Sequence, residues 1–425
     1  MSDRPRHTSL RRALHRGSDV IGVLDVGTAK TVCLIAERDE HGLPGRVLGA
    51  ASQRSRGVKA GIVTDLDQAE TVVRAIVHDA EAMAGVSLDA IGLVASCGRH
   101  ASITFRCDAP LPERVVTEDD LARIDAAARA YAERRGHAVL HLNTLAHLVD
   151  GRIAADDLVG VSGRHLAADV HAVIADDAPL RNILHLVERC GAEPAGVVPA
   201  PHASALAVTT AAERDHGTIV VDIGAGSTSL AAYVAGHLVS TATFPIGGQH
   251  ITWDIARLFG ASTAEAERIK TLHGSLIRAP SDANDTISYT LLDEQGGDGT
   301  LHHETRARLV DIVVPRMTAL FDLIAQHLAG IALPARHQRS IVFTGGASQL
   351  VGLADVAGEL MGRPARIGRP LPSPALPSKL ATPAFAAIVG AASALSEPST
   401  TRQPPHLDVA TGTNGRAATW IKESF

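Results

Sequence analysis

Thr218 to Leu230 reads TIVVDIGAGSTSL. The apolar run Ile219 to Val221 ends in Asp222, and Gly224, Gly226 and the hydroxyls Ser227, Thr228 and Ser229 follow. Branched residues entering a glycine-rich turn predict a buried strand that opens into a hairpin. Glycines let a backbone close on a phosphate with no Cβ in the way. The exposed amides and hydroxyls would bind the anion, and an aspartate at the strand end would hold a water on Mg2+. One such stretch is equally an ordinary hairpin turn, so a single copy decides nothing.

A second copy exists. Val20 to Leu34 reads VIGVLDVGTAKTVCL, with Asp25, Gly27, Thr28 and Thr31 in the same order after an apolar strand. Two copies of D-x-G-x-x-x-[ST], roughly 200 residues apart, point to two similar halves. Two hairpins facing each other across a cleft would clamp a triphosphate and its metal from both sides.

The composition suits a large soluble protein. A chain of 425 residues should build two or more domains. A formal charge of −6 gives no reason to expect nucleic-acid binding, and no apolar run approaches the ~20 residues of a membrane span. The four cysteines, Cys33, Cys97, Cys107 and Cys190, form no C-x-x-C pair and predict reduced, buried thiols in the cytoplasm. The scattered histidines, including adjacent His302 and His303, predict solvated loops rather than a metal site.

Periodicity gives a coarse map. A helix capped at Asp65 runs to about Ala84, and Ile91 to Ser96 is a strand. Between Cys97 and Ile174 a strand–helix–strands insert is expected, with strands at 102–106, 114–116, 139–142, 147–149 and 164–174. Helices are expected over Leu180 to Cys190, His202 to Ala212, Ile251 to Phe259 and 263–273. Another is expected over Arg306 to Leu328, where Pro315 should kink or break it. On the 263–273 helix, Glu267 and Lys270 share a face, suited to ribose hydroxyls and an adenine surface or to a plain ion pair. Gly345-Gly346 ends a third apolar strand and would let adenosine lie flat. The last ten residues carry Trp420, Ile421 and Phe425 beside Arg416 and Lys422, after a Pro-rich polar stretch. That pattern predicts a short amphipathic helix on a disordered tether, lying in a membrane interface.

Together these features resemble the actin-like ATPase fold: α/β, two duplicated halves around a nucleotide cleft. The insert resembles that of the cell-division protein FtsA family, as do LDVGTAK (24–30), Gly98-Arg99-His100, VSGRH (161–165), RIKTLHG (268–274) and the terminal WIKESF. The resemblance implies a first core subdomain of residues 19–96, 175–216 and 384–395, interrupted by an FtsA-type inserted subdomain at 97–174. It implies a second core subdomain at 217–250 and 338–383, and an FtsZ-binding subdomain at 251–337. A basic tail (1–18), a linker (396–415) and a membrane-targeting helix (416–425) complete the expected layout.

The implied function is an ATP-binding adaptor that polymerises and ties FtsZ, through its C-terminal peptide, to the cytoplasmic face of the inner membrane at the division site. Later divisome proteins would be recruited there. Asp25, Gly27, Thr28, Asp222, Gly224, Gly226, Ser227 and Thr228 would face phosphate and Mg2+, the two aspartates through water. Glu267, Lys270, Gly345 and Gly346 would surround adenosine, and Arg306 and Arg316 are candidates for an acidic FtsZ peptide. Actin-like relatives that turn over ATP place a polarising Glu or Gln where this chain has Ala200, which implies weak or no hydrolysis. The alternatives are a pilus-assembly protein of the PilM type and an actin-fold small-molecule kinase. The kinase would need a base aimed at its acceptor hydroxyl, and the sequence offers no convincing one.

Overall fold

The computed structural model describes residues 20–38, 44–97, 100–133, 137–154, 158–292, 300–331 and 340–396. The expected tail, linker and terminal helix, with Trp420, Ile421 and Phe425, lie outside the described residues.

The chain opens with β1 (Val20–Val26), β2 (Lys30–Arg38), β3 (Pro44–Arg54), the short pair β4 (Val58–Lys59) and β5 (Ile62–Val63), α1 (Leu66–Ala84) and β6 (Ala90–Ala95). Helix α1 begins where the Asp65 carboxylate accepts from the Gln68 amide at 3.0 Å, and ends at left-handed Gly85. Then come β7 (Ala101–Pro110), α2 (Glu118–Glu133), β8 (Ala138–Val149), β9 (Arg152–Ile153) and β10 (His165–Ala175). Next are α3 (Asp177–Arg189), β11 (Glu193–Pro199), α4 (Ala200–Val208) and α5 (Ala211–His216). The second hairpin is β12 (Thr218–Ile223) and β13 (Thr228–Val234), followed by β14 (His237–Phe244), α6 (Gly248–Phe259) and α7 (Thr263–His273). The remainder is β15 (Thr286–Tyr289), β16 (His302–Thr305), α8 (Arg306–Ala329), β17 (Ile341–Thr344), α9 (Leu353–Met361), β18 (Ala365–Ile367) and α10 (Ala386–Ser396).

The duplication is explicit in the sheets. One runs β11-β6-β1-β2-β3; the other contains β18-β17-β12-β13-β14. In both, the hairpin strands pair antiparallel and the first hairpin strand pairs parallel with the strand on its other side. Strands β1 and β12 are almost continuously apolar and buried, as layers packed on both faces require.

The insert does not extend the sheet of the half that contains it in sequence. Its strands add to the second half's sheet as β14-β7-β10-β8-β9, joined at the single pair Ala242–Ala101. The join is reinforced by side chains: the Thr241 amide donates to Ser102 Oγ at 2.5 Å, and the Asn143 side chain donates to the Leu238 carbonyl at 3.1 Å.

Several expectations change. Residues 139–142 and 147–149 belong to one strand, β8, whose pairing with β10 shifts register twice. Residues 114–116 form only a bridge, Val115 to Ser162. The expected helix over 202–212 is two helices, because Thr210 and Glu213 form a capping box that starts α5 anew after extended Thr209. Helix α3 begins three residues early. Pro315 does not break α8; Ile312, Val313 and Met317 are buried around it, so packing offsets a lost backbone bond worth about 3 kcal/mol. His302 and His303 lie in a strand, β16, and not in a loop; His303 bonds Ser288. Cys33 and Cys97 are buried, while Cys107 and Cys190 are half-buried.

A histidine cluster lies where the insert meets both halves. His141 (β8) stacks on His202 (α4) at 4.5 Å between centroids, His202 Nδ1 and the Tyr233 hydroxyl are 2.6 Å apart, and His171 (β10) bonds Ser102 at 2.8 Å. Desolvation holds His141 near 4, His171 near 3 and His202 well below its usual value. All three are therefore neutral at pH 7. The unfolded chain, with histidines near 6.5, takes up protons first as pH falls, so stability is full above about 6.5 and is lost below it. Each histidine costs about 1.4 kcal/mol per pH unit in that window. Asp25, raised to about 6, works in the opposite sense between about 6 and its ordinary value of 3.8, as does the raised Asp222, but the histidines outnumber them. The urea midpoint should hold from pH 7.5 to about 6.5 and fall from there to pH 5; a midpoint that stays flat or rises below pH 6.5 would contradict this balance.

Candidate functional site

Both hairpins close with the same bond. The Gly27 amide donates to the Lys30 carbonyl at 3.1 Å, and the Gly224 amide to the Ser227 carbonyl at 3.0 Å. The turns face each other closely: a Cβ on Gly226 would sit 2.5 Å from Thr28 Oγ1 and 2.8 Å from the Ala60 Cα. Between them opens a cleft of about 640 Å3, within the range of small-molecule sites and large enough for a nucleotide.

At the closed end lie Asp25 and Asp222, each steadied by a serine. Ser96 Oγ donates to Asp25 Oδ1 at 3.1 Å, and Ser204 Oγ donates to Asp222 Oδ2. Lys30 is near enough to feel both carboxylates, and its Nζ lies 3.1 Å from the Phe385 ring centroid. Desolvation raises Asp25 to about 6, with Asp222 adding to the rise; Ser96 and Lys30 oppose it. Desolvation likewise raises Asp222 and lowers Lys30 to about 8, against the pull of both aspartates. One lysine thus faces two desolvated carboxylates, leaving unshared negative charge at the cleft floor. That charge suits a divalent cation. Two carboxylates are too few for an all-protein cage, and the described residues contain no cluster of three or more metal-binding groups. The donor set therefore fits Mg2+ carried on water and phosphate oxygens.

Gly345 completes this end. Its φ is +85°, and a Cβ would overlap Asp222 Oδ1 and the Ile223 carbonyl. The third strand, β17, pairs with β12 up to Asp222–Thr344, so its terminal glycine meets the aspartate directly.

At the other end Glu267 and Lys270 both line the cleft. Lys270 Nζ donates to Glu267 at 2.7 Å, Thr252 Oγ1 at 2.9 Å and the Gly248 carbonyl at 3.1 Å. Two of its three protons tie α7 to the start of α6 and the third goes to Glu267 on its own helix, so the lysine stem and half-exposed Glu267 present an apolar surface and a carboxylate to the cleft.

Two expected contacts are placed elsewhere. Thr228 is fully buried and donates to the Ile246 carbonyl at 2.7 Å; the hydroxyls on the cleft wall are Ser227 and Ser229. Arg306 and Arg316 do not share one patch. Arg306 lines the cleft, with Nε 3.6 Å from Asp282, whereas Arg316 makes a two-pronged pair with Asp254 of α6 at 2.7 and 3.0 Å. Ten residues of α8 separate them by about 15 Å. Sequence reasoning passed over Lys30, Ser96, Ser204 and His100. Lys30 stood inside the quoted LDVGTAK run, and its place beside a phosphate turn was the available signal.

Duplicated halves, matching sheet orders and a shared cleft floored by two aspartates define an actin-like ATPase fold. A solved PilM–PilN type IV pilus biogenesis complex contains a chain similar to this one, with a TM-score of 0.61 and 18% identity over 90% of this chain and 99% of that one. MreB5 of Spiroplasma citri bound to ADP is similar at a TM-score of 0.50 and 13% identity, over 88% of this chain and 95% of that one. At these identities the likeness is one of fold.

The chain belongs to the cell division protein FtsA family. The family model for cell division protein FtsA matches residues 219–390, and that for the SHS2 domain inserted in FtsA matches residues 98–174. The cell division protein FtsA of Rhizobium meliloti (strain 1021) is 34% identical over 422 residues, covering 96% of this chain and 95% of that relative.

Gly345→Ala should destabilise the protein by about 2 kcal/mol or more, since it combines a left-handed backbone with overlap at Asp222. A urea midpoint equal to that of the unaltered protein would show that the cleft floor is looser than described.

Proposed function

We propose that the protein is an ATP-binding adaptor of cell division that polymerises and ties FtsZ to the cytoplasmic face of the inner membrane at the division site, where later divisome proteins join. The observation that carries this reading is the pair of aspartates on matching hairpins, Asp25 and Asp222, within a chain of the FtsA family. A carboxylate pair left short of positive charge favours a cation-bearing polyanion, and the ADP in the related MreB5 structure supports a nucleotide as that ligand.

In this reading the amides of both glycine turns, with Thr28 and Ser227, bind phosphate. Lys30 supplies the fixed positive charge. Asp25 and Asp222 hold the waters of Mg2+, which would neutralise phosphate charge between the halves. Glu267 accepts from ribose, while Gly345 and Gly346 give the nucleoside a flat backbone. Ala200 lines the cleft as the first residue of α4 and has no group to orient a water. Bound nucleotide then acts chiefly as a lock that fixes the two halves in a polymer-competent arrangement.

Arg316 is the better placed of the two arginines for an acidic FtsZ peptide, since it lies outside the cleft. Its guanidinium is already paired with Asp254, so a peptide carboxylate would have to compete with or join that pair. No described helix is long and apolar enough to cross a membrane. Membrane attachment is assigned to residues 416–425, through Trp420, Ile421 and Phe425.

Asp222→Ala should lose ATP binding and polymers together, as read by calorimetry and sedimentation; polymers that persist without bound nucleotide would contradict the lock. Purified protein should hydrolyse ATP slowly, and turnover typical of a vigorous ATPase would refute the role given to Ala200. In liposome flotation, protein lacking residues 416–425 should stay at the bottom of the gradient while the full chain floats. Equal flotation would move the membrane contact elsewhere.

A further inference from the structure

His100 has no role in the site as described so far, yet its surroundings are unusual. It is 5% exposed and lines the cleft, and neither ring nitrogen has a hydrogen-bond partner among the described residues. Burial lowers the ring to about 4, against the pull of the Cys97 backbone and of Asp176, so the imidazole is neutral, with one donor and one acceptor. Buried polar atoms without partners are rare and costly, so two on one ring call for an explanation.

Its position in the chain supplies one. Four residues earlier, Ser96 holds Asp25 at the phosphate end of the cleft. One residue later, Ala101 begins β7, the first strand of the insert, and pairs with Ala242 of β14. The His100 amide donates to Thr243 Oγ1 at 3.3 Å, and Thr243 pairs across β13 with Ser229 on the cleft wall. The ring therefore sits where the cleft floor, the second half's sheet and the insert's first strand meet.

Resting on the nucleotide reading above, we propose that His100 contacts the terminal phosphate of bound nucleotide and carries its presence into the insert through β7. The unpartnered ring is then a ligand contact awaiting its ligand. The insert's strands pair with β14 at one backbone pair, Ala101–Ala242, next to His100, with side-chain bonds at Ser102 and Asn143 beside it, so a small shift at His100 would act where the insert is held against the second half.

The test compares ATP and ADP affinities of the full chain by calorimetry, with amide hydrogen exchange over residues 101–110. His100→Ala should weaken ATP about tenfold, the scale of a lost hydrogen bond to a charged group, and leave ADP within about twofold. ATP should slow exchange in β7 of the unaltered protein but not of the variant. His100→Asn, which keeps a donor and an acceptor, should recover part of both effects and serves if the alanine variant does not fold. An unchanged ATP-to-ADP preference, equal losses for both nucleotides, or no ATP-dependent protection of β7 in the unaltered protein would overturn the inference while leaving the nucleotide site intact. Failure of the unaltered protein to bind either nucleotide would remove the site itself and this inference with it.

Discussion

Two carboxylates, Asp25 and Asp222, are held at the floor of one cleft with a single lysine, Lys30, near both. Burial penalises both charges, and Lys30 only partly offsets the penalty. A protein selected for stability alone would have no reason to keep this arrangement, because two desolvated acids facing one base destabilise the fold unless something else supplies positive charge. The surrounding structure holds them there nonetheless. Ser96 and Ser204 fix one oxygen on each, matching glycine turns close beside them, and Gly345 leaves room for Asp222 where a side chain would collide with it. In the proposed reading the cost is recovered when a ligand brings cation and phosphate together, which makes ligand binding and the closeness of the two halves one equilibrium.

This constraint explains how the fold is divided. Each half delivers one aspartate from the end of its central strand, β1 or β12, through a sheet of the same order. The insert then crosses that division. It interrupts the first half in sequence but continues the second half's sheet, and the cluster of His141, His171 and His202 with Tyr233 sits at the seam. A change in the angle between halves is therefore also a change at the insert, which gives nucleotide state a route to whatever surface the insert presents.

Much of this was legible in the residues. The two D-x-G hairpins announced the duplication, because strand, aspartate and glycine turn are local patterns that survive in a single sequence. Asp65 marked the start of α1 for the same reason, and Glu267 with Lys270 showed the helix face that lines the cleft. What escaped was non-local. No period in β7 or β14 says that they pair, and the break at Thr209 lay hidden in an Ala-rich run whose T-x-x-E cap is a weak signal against strong helix propensity. Thr228 read as a phosphate hydroxyl until strand alternation turned it inward to Ile246. Arg306 read as a candidate for an acidic peptide until the fold of α8 against the cleft set it in the wall. His100 was legible only as part of the Gly98-Arg99-His100 resemblance, since its place in the cleft depends on two empty hydrogen-bonding positions that exist only in three dimensions.

The central claim is that the cleft trades stability for a cation-bearing nucleotide. It is tested most directly by replacing both Asp25 and Asp222 with asparagine and measuring the thermal midpoint without nucleotide and with ATP and Mg2+. The account predicts that the Asn pair melts higher than the unaltered protein when nucleotide is absent and gains nothing from ATP and Mg2+, whereas the unaltered protein is stabilised by them. A lower midpoint without nucleotide, or an undiminished ATP–Mg2+ response in the Asn pair, would contradict it.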